Sequence, residues 1–146
     1  MTNLFDISGK VALVTGGSRG IGLMIARGFV EAGAKTYISS RKADVCDAVA
    51  AELSKSGECI SIPADLGTEA GCHFLADEIA KREPKLHILV INAGATWGAP
   101  IADYPDDAFD KVMNLNVKGI FHLTRFLLPR LESAASATDP ARVINI

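Results

Sequence analysis

Thr15-Gly-Gly-Ser-Arg-Gly-Ile-Gly22 lies between an apolar run, Val11-Ala-Leu-Val-Thr15, and an amphipathic stretch that begins at Gly20. Glycines permit a tight turn and a close approach of backbone to ligand. A helix that starts there points free N–H groups and the positive end of its dipole at the same spot. The chemistry this suits is the binding of a phosphate or pyrophosphate. The strict G-x-G-x-x-G spacing fails, because Ser18 stands two residues after Gly16 and Ile25 three after Gly22. No Gly-Lys-Ser/Thr follows, so the loop is not of the nucleoside-triphosphate type. What it does fit is T-G-x-x-x-G-x-G, through Thr15, Gly16, Gly20 and Gly22. The plain alternative is an ordinary glycine-rich turn between strand and helix.

Three more sites of interest recur at the ends of apolar runs. Ser39-Ser40-Arg41-Lys42 follows the second run. A carboxylate there would accept ribose hydroxyls and favour NAD(H), but none occurs before Asp44. Arg41 and Arg19 instead offer planar guanidinium forks suited to a 2′-phosphate. NADP(H) is therefore expected over NAD(H), against the alternative that Arg41 and Lys42 are solvated residues at a helix start. Asp65 and Leu66 follow the third run, where Asp is also a normal turn residue. Asn92-Ala93-Gly94 follows the fourth.

The elements that must hold these residues alternate. Strands are expected over Val11–Thr15, Lys35–Ser39, Cys59–Ile62, Leu86–Asn92 and Arg142–Ile146. Helices are expected from Gly20 to about Ala32, Ala43 to Ser56, Thr68 to about Arg82, and Pro105 to about Glu132. Gly33 and Gly57 would close the first two helices, Thr68 would cap the third, and Pro105 would open the fourth. Strict alternation of strand and helix predicts an α/β fold, a doubly wound parallel sheet of Rossmann type, as one domain over residues 1–146. Its ligand site lies at the carboxyl ends of the strands. The long fourth helix carries Phe109, Val112, Met113, Ile120, Leu123, Leu127 and Leu131 at helical spacing, with Asn116 inside the stripe. A polar residue there needs matched partners, and a core Asn bonded to backbone is the plain reading.

Taken together and in order, these residues resemble the short-chain dehydrogenase/reductase family, in its single-domain members. The resemblance covers the whole chain but only the front part of the family's fold, truncated after the fifth strand. It implies that Gly16, Ser18, Arg19, Gly20, Ile21 and Gly22 hold the cofactor pyrophosphate. It also implies that Ser40 and Arg41 read the ribose phosphate, and that Asp65 and Leu66 sit at the adenine. Asn92 would brace the central sheet, while Ala93 and Gly94 let the ribose come close. The family's Asn-Asn-Ala-Gly has Ile91 in its first place here. Asn-Leu-Asn-Val117 matches its Asn-x-Asn-Val, which makes Asn116 the one catalytic-site residue. In the family that residue disturbs the helix and holds a water of the proton relay. The stretch around Trp97 is most similar to bacterial β-ketoacyl reductases, with gluconate 5-dehydrogenases second.

The family's carbonyl-polarising serine and its Tyr-x-x-x-Lys are not matched. Tyr37 and Tyr104 are followed four residues on by Arg41 and Ala108, and Ser133 and Ser136 precede the fifth strand. The implied function is NADP(H)-dependent carbonyl reduction or alcohol oxidation by a longer parent protein, a homodimer or homotetramer, with this chain inactive alone. The alternative is a non-catalytic dinucleotide-binding fragment or regulatory module. The fifth strand is expected to leave an apolar edge open.

Composition bounds the rest. The 146 residues are 49% hydrophobic and 22% charged, with a formal net charge of -2 and no run of one sign. That is globular, and nothing in it argues for nucleic acid or an anionic membrane. No basic start followed by an apolar stretch occurs, and no apolar run approaches membrane length, so a cytoplasmic protein without a signal peptide is expected. Cys46, Cys59 and Cys72 form no C-x-x-C pair, and His73, His87 and His122 are scattered, so no disulfide or metal site is expected.

Overall fold

The computed structural model describes residues 3–146. Five strands form one parallel sheet: β1 (Val11–Thr15), β2 (Lys35–Ser39), β3 (Cys59–Ser61), β4 (Ile88–Ile91) and β5 (Arg142–Asn145). Their order is β3-β2-β1-β4-β5. β1 therefore has β2 on one side and β4 on the other, with Val14 opposite Ile38 and Val90. The chain winds outward from β1 in both directions, so a crevice opens at the carboxyl ends of β1 and β4.

Five helices cover both faces: α1 (Gly20–Glu31), α2 (Ala43–Leu53), α3 (Glu69–Arg82), α4 (Asp106–Met113) and α5 (Gly119–Ala134). Period-2 alternation in the strands sorts side chains into two cores. Ala12, Val14, Ile38 and Val90 meet Ala26 and Val30 of α1 and Cys46, Ala50 and Leu53 of α2. Leu13, Tyr37, Leu89 and Ile91 meet Leu75 and Ile79 of α3 and Leu123, Leu127 and Leu131 of α5. The predicted doubly wound sheet and all five strands are present, and each strand boundary lies within two residues of expectation.

Two expectations need correction. Gly33 does end α1 in the left-handed region, at φ 83°, but Gly57 does not adopt a positive φ. A Cβ on Gly57 would stand 2.8 Å from both the Val30 carbonyl oxygen and Val30 Cγ1. Glycine is required there by close packing on α1, not by helix termination. The long helix is also not one uniform stripe. A π segment at Asn114–Lys118 joins α4 to α5, and the Gly119 N–H donates to Asn114 O five residues back. The wider turn rotates α4 relative to α5. Leu123, Leu127 and Leu131 are buried, whereas Phe109 and Met113 face outward.

Polar contacts lock the amino ends of the strands. The Val11 N–H donates to His87 Nδ1 at 3.0 Å, which requires an unprotonated nitrogen. Lys10 pairs with Asp139, which also takes Arg142 at 3.1 Å. Tyr37 is buried and donates to Glu83 Oε1 at 2.6 Å, and Glu83 pairs with Lys35 at 2.5 Å. β5 pairs with β4 along its whole length, and Val143, Ile144 and Ile146 remain exposed. No helix is long and apolar enough to cross a membrane among the described residues.

Burial, and then the Lys10 charge, holds the His87 imidazole below its ordinary pKa. The folded state therefore binds fewer protons than the unfolded one. The contribution is present above the unfolded value, about 6.5, and is lost as pH falls from there through the lower folded value. The urea midpoint is expected to decline across that window. A His87→Gln variant should show a shallower decline, as read by denaturation at several pH values.

Candidate dinucleotide-binding site

The loop after β1 is organised by Thr15. Its side chain is wholly buried, and its hydroxyl accepts the N–H groups of both Asn92 and Ala93 at 3.0 Å. The carboxyl end of β4 is thereby fastened to that of β1. Asn92 Nδ2 returns the contact by donating to Gly16 O at 3.4 Å. Gly16 N–H donates to Ser39 O at 2.8 Å, which ties β2 to the same point. Gly16 has φ 65°. A Cβ on Gly22 would stand 2.1 Å from Gly16 O, so only glycine lets α1 start beneath the loop. No side chain caps α1 and no acid occupies its first turn. Its terminal N–H groups thus open toward the space above the sheet.

That space is a cavity of about 590 Å³, a size typical of ligand sites. From the first loop it is lined by Gly16, Ser18, Arg19, Gly20 and Ile21. From the end of β2 come Ser40 and Arg41, and from β4 come Asn92, Ala93 and Gly94, with Leu66 beyond β3. Eleven of the fourteen residues expected at the site therefore share one wall. Gly22 lies behind the loop rather than on the wall. Asp65 is exposed, and its Oδ1 accepts the Gly67 N–H at 3.0 Å in a local turn. Its neighbours Ala64 and Leu66 line the cavity, while its own side chain does not.

Asn116 acts through a neighbour. Its Oδ1 accepts the Ala95 N–H at 2.9 Å, and its Nδ2 donates to Ala95 O at 2.8 Å. Both polar ends are matched, so the residue is affordable inside an apolar stripe. The pair clamps the loop one residue past Gly94. Asn116 stands at the middle of the π segment. Behind it, Gly119 is closely packed on Leu66: a Cβ there would stand 2.5 Å from Leu66 O. The Cys72 thiol donates to the same carbonyl at 3.5 Å.

Sequence reasoning missed part of the wall. Ser39, Lys42, Val45, Ala64 and Leu115 also line it. Lys42 was legible as a neighbour of Arg41. Val45 is one turn into α2 and faces the cavity only because β2 ends where it does. The hydroxyls of Ser39 and Ser40 are buried without a hydrogen-bond partner. Such orphaned groups at a cavity wall call for a polar ligand.

The other reactive side chains do not serve this site. Burial pushes the Cys59 and Cys72 thiols up to about 11, so neither is a nucleophile near neutral pH. Burial, with Glu83 second, pushes Tyr37 up to about 12, and its hydroxyl is spent on that carboxylate. Among the described residues no three His, Cys, Asp or Glu side chains are grouped to hold a metal.

The profile of the short chain dehydrogenase family matches residues 10–146, and the chain belongs to that family. It is 51% identical over 142 residues to a rhamnolipids biosynthesis 3-oxoacyl-[acyl-carrier-protein] reductase from Pseudomonas aeruginosa, covering 97% of this chain and 56% of the relative. Its fold superposes with a TM-score of 0.95 and 50% identity on a Pseudomonas aeruginosa RhlG/NADP active-site complex, covering 99% of this chain and 57% of the other. A metagenomic short-chain oxidoreductase in complex with NADP matches with a TM-score of 0.86 at 31% identity, over 96% of this chain and 62% of the other. The chain thus spans a little over half the length of these relatives.

Replacing Thr15 by Val would leave two part-buried N–H groups without an acceptor. At about 1–3 kcal/mol for each unmatched donor, a loss of roughly 2–6 kcal/mol is the upper range expected by chemical denaturation. Thr15→Ser, which keeps the oxygen, should recover most of it.

Proposed function

We propose that these residues form the cofactor-binding part of an NADP(H)-dependent oxidoreductase that interconverts a carbonyl and an alcohol. The substrate class is a 3-oxoacyl compound. The observation that carries the cofactor reading is the wall itself. Arg19 and Arg41 line the cavity, no acidic residue does, and the Ser40 hydroxyl is buried and unmatched where an NAD-type carboxylate would stand. The NADP in two structures similar to this chain supports it. The 3-oxoacyl class is supported by the relative named for that activity.

In this reading the uncapped start of α1, with Ser18, Arg19, Gly20 and Ile21, receives the pyrophosphate. Arg19 and Arg41 bind the ribose phosphate through charge-assisted hydrogen bonds, with Ser40 completing the set. Val45, Ala64 and Leu66 form an apolar seat for the adenine, with Asp65 beside it. Ala93 and Gly94 leave room for the ribose, and Thr15 with Asn92 fixes their position. Asn116 holds the following loop through Ala95 and places the π segment beside the reacting end. The bound cofactor would supply the hydride, or accept it in the reverse direction. The proton must come from a group outside those described above, since Tyr37 is committed to Glu83 and no Tyr-x-x-x-Lys occurs in these residues.

A homodimer or homotetramer is part of the proposal. Phe109, Met113, Val117 and Phe121 recur every four residues along α4, the π segment and α5, and all are exposed. An apolar stripe of this kind on a long helix supports contact with a second copy.

Fluorescence titration is expected to show NADPH binding more tightly than NADH. Arg41→Asp should weaken NADPH by roughly tenfold or more, the loss of a charge-assisted contact, and should narrow or reverse the preference. Equal affinities in the parent protein, or an unchanged preference in the variant, would overturn the cofactor assignment. Residues 1–146 alone are expected to give no ketone reduction above a protein-free control. Measurable turnover would contradict the reading that the proton donor lies elsewhere. The competing reading, a non-catalytic dinucleotide-binding module, gains if the whole protein binds NADPH yet reduces no carbonyl.

A further inference from the structure

The cavity wall is chemically one-sided. Arg19, Arg41 and Lys42 all line it, and among the described residues none is ion-paired with a carboxylate. No Asp or Glu is part of the wall. Ser39 lines it as well, is wholly buried, and has a hydroxyl without a partner. The uncapped amino end of α1 adds a fourth source of positive potential.

A site discriminates through contacts that favour one ligand or through obstacles to another. A wall carboxylate would be such an obstacle, because it pairs with free ribose hydroxyls and repels a ribose phosphate. None stands here. The positive groups beyond β2 are also adaptable. Arg41 and Lys42 are exposed, and Lys42 is a mobile point charge with three rotatable donors. This set recognises a monophosphate on an adenosine ribose without fixing which ribose carbon bears it.

We propose that the same cavity binds the 3′-phosphoadenosine diphosphate end of coenzyme A and its thioesters, in competition with NADP(H). The inference rests on the dinucleotide reading above and adds a regulator to that site. Coenzyme A carries an adenine, a diphosphate and a ribose monophosphate, the same three groups that the seat, the helix start and the cations are placed to receive. A rising pool of coenzyme A thioesters then slows cofactor entry. A thioester held on a carrier protein lacks the adenosine and escapes this competition.

The test is displacement of NADPH, followed by its fluorescence on the whole protein. The probes are coenzyme A, dephospho-coenzyme A, and adenosine 2′,5′-bisphosphate. Coenzyme A and the bisphosphate are expected to displace NADPH, and dephospho-coenzyme A to be weaker by roughly tenfold or more for want of the phosphate contacts. Lys42→Ala, at an exposed position, should weaken coenzyme A. If the bisphosphate displaces NADPH and coenzyme A does not, the competition is refuted and the dinucleotide reading survives. If dephospho-coenzyme A equals coenzyme A, recognition of the ribose phosphate is refuted. If NADPH itself does not bind, both readings fall.

Discussion

The Thr15 hydroxyl, accepting two N–H groups from the end of β4, is the contact on which the site depends. The crevice at the carboxyl ends of β1 and β4 is where a doubly wound sheet places its ligand. Without a tie at that point the two strand ends would be free to splay. Thr15 fixes their spacing, Gly16 then turns back to bond β2, and Asn92 closes the triangle onto Gly16. The glycine loop is therefore not a flexible cradle. It is a short piece of backbone held on three sides, whose remaining polar groups point the only way left to them.

A second constraint acts from the far side. Asn116 grips Ala95 at both its polar groups, and the π segment that presents Asn116 is itself pressed onto Leu66 through Gly119. Leu66 is a wall residue. Hence the loop after β4, the long helix and the turn after β3 are one mechanical unit. A change at Gly119 or Cys72, neither of which lines the cavity, would move the wall.

Much of this was legible in the sequence because the family's signals sit at strand ends and strand ends are read from apolar runs. Val11-Ala-Leu-Val-Thr15 located β1, and the glycines after it located the loop. Asn92 and Asn116 were also found, the latter because a polar residue in an apolar stripe demands a reason. What the sequence did not show is which way side chains turn once the backbone departs from regular geometry. The π segment rotated Phe109 and Met113 outward, although their spacing matched the buried leucines of α5. Gly57 has the sequence position of a helix terminator, yet its neighbour Val30 lies on a different helix and the need for glycine is a tertiary contact. Asp65 spends an oxygen on Gly67, a local bond that competes with any reach toward a ligand. Val45 reaches the wall from the first turn of α2, a placement that its position in the sequence alone does not show.

The acid-free wall has a consequence for how long the protein lasts. Arg19, Arg41 and Lys42 line a wall that carries no carboxylate, so an anion that enters meets no competing acid among the described residues. A ligand that binds only the native state stabilises it by about 2.7 kcal/mol at a hundred times its dissociation constant. In a cell, an increment of that size shifts the fraction of molecules open to proteases, and abundance with it, several-fold. The survival of this polypeptide would then follow the supply of whatever anion fills that wall, without any change in its synthesis.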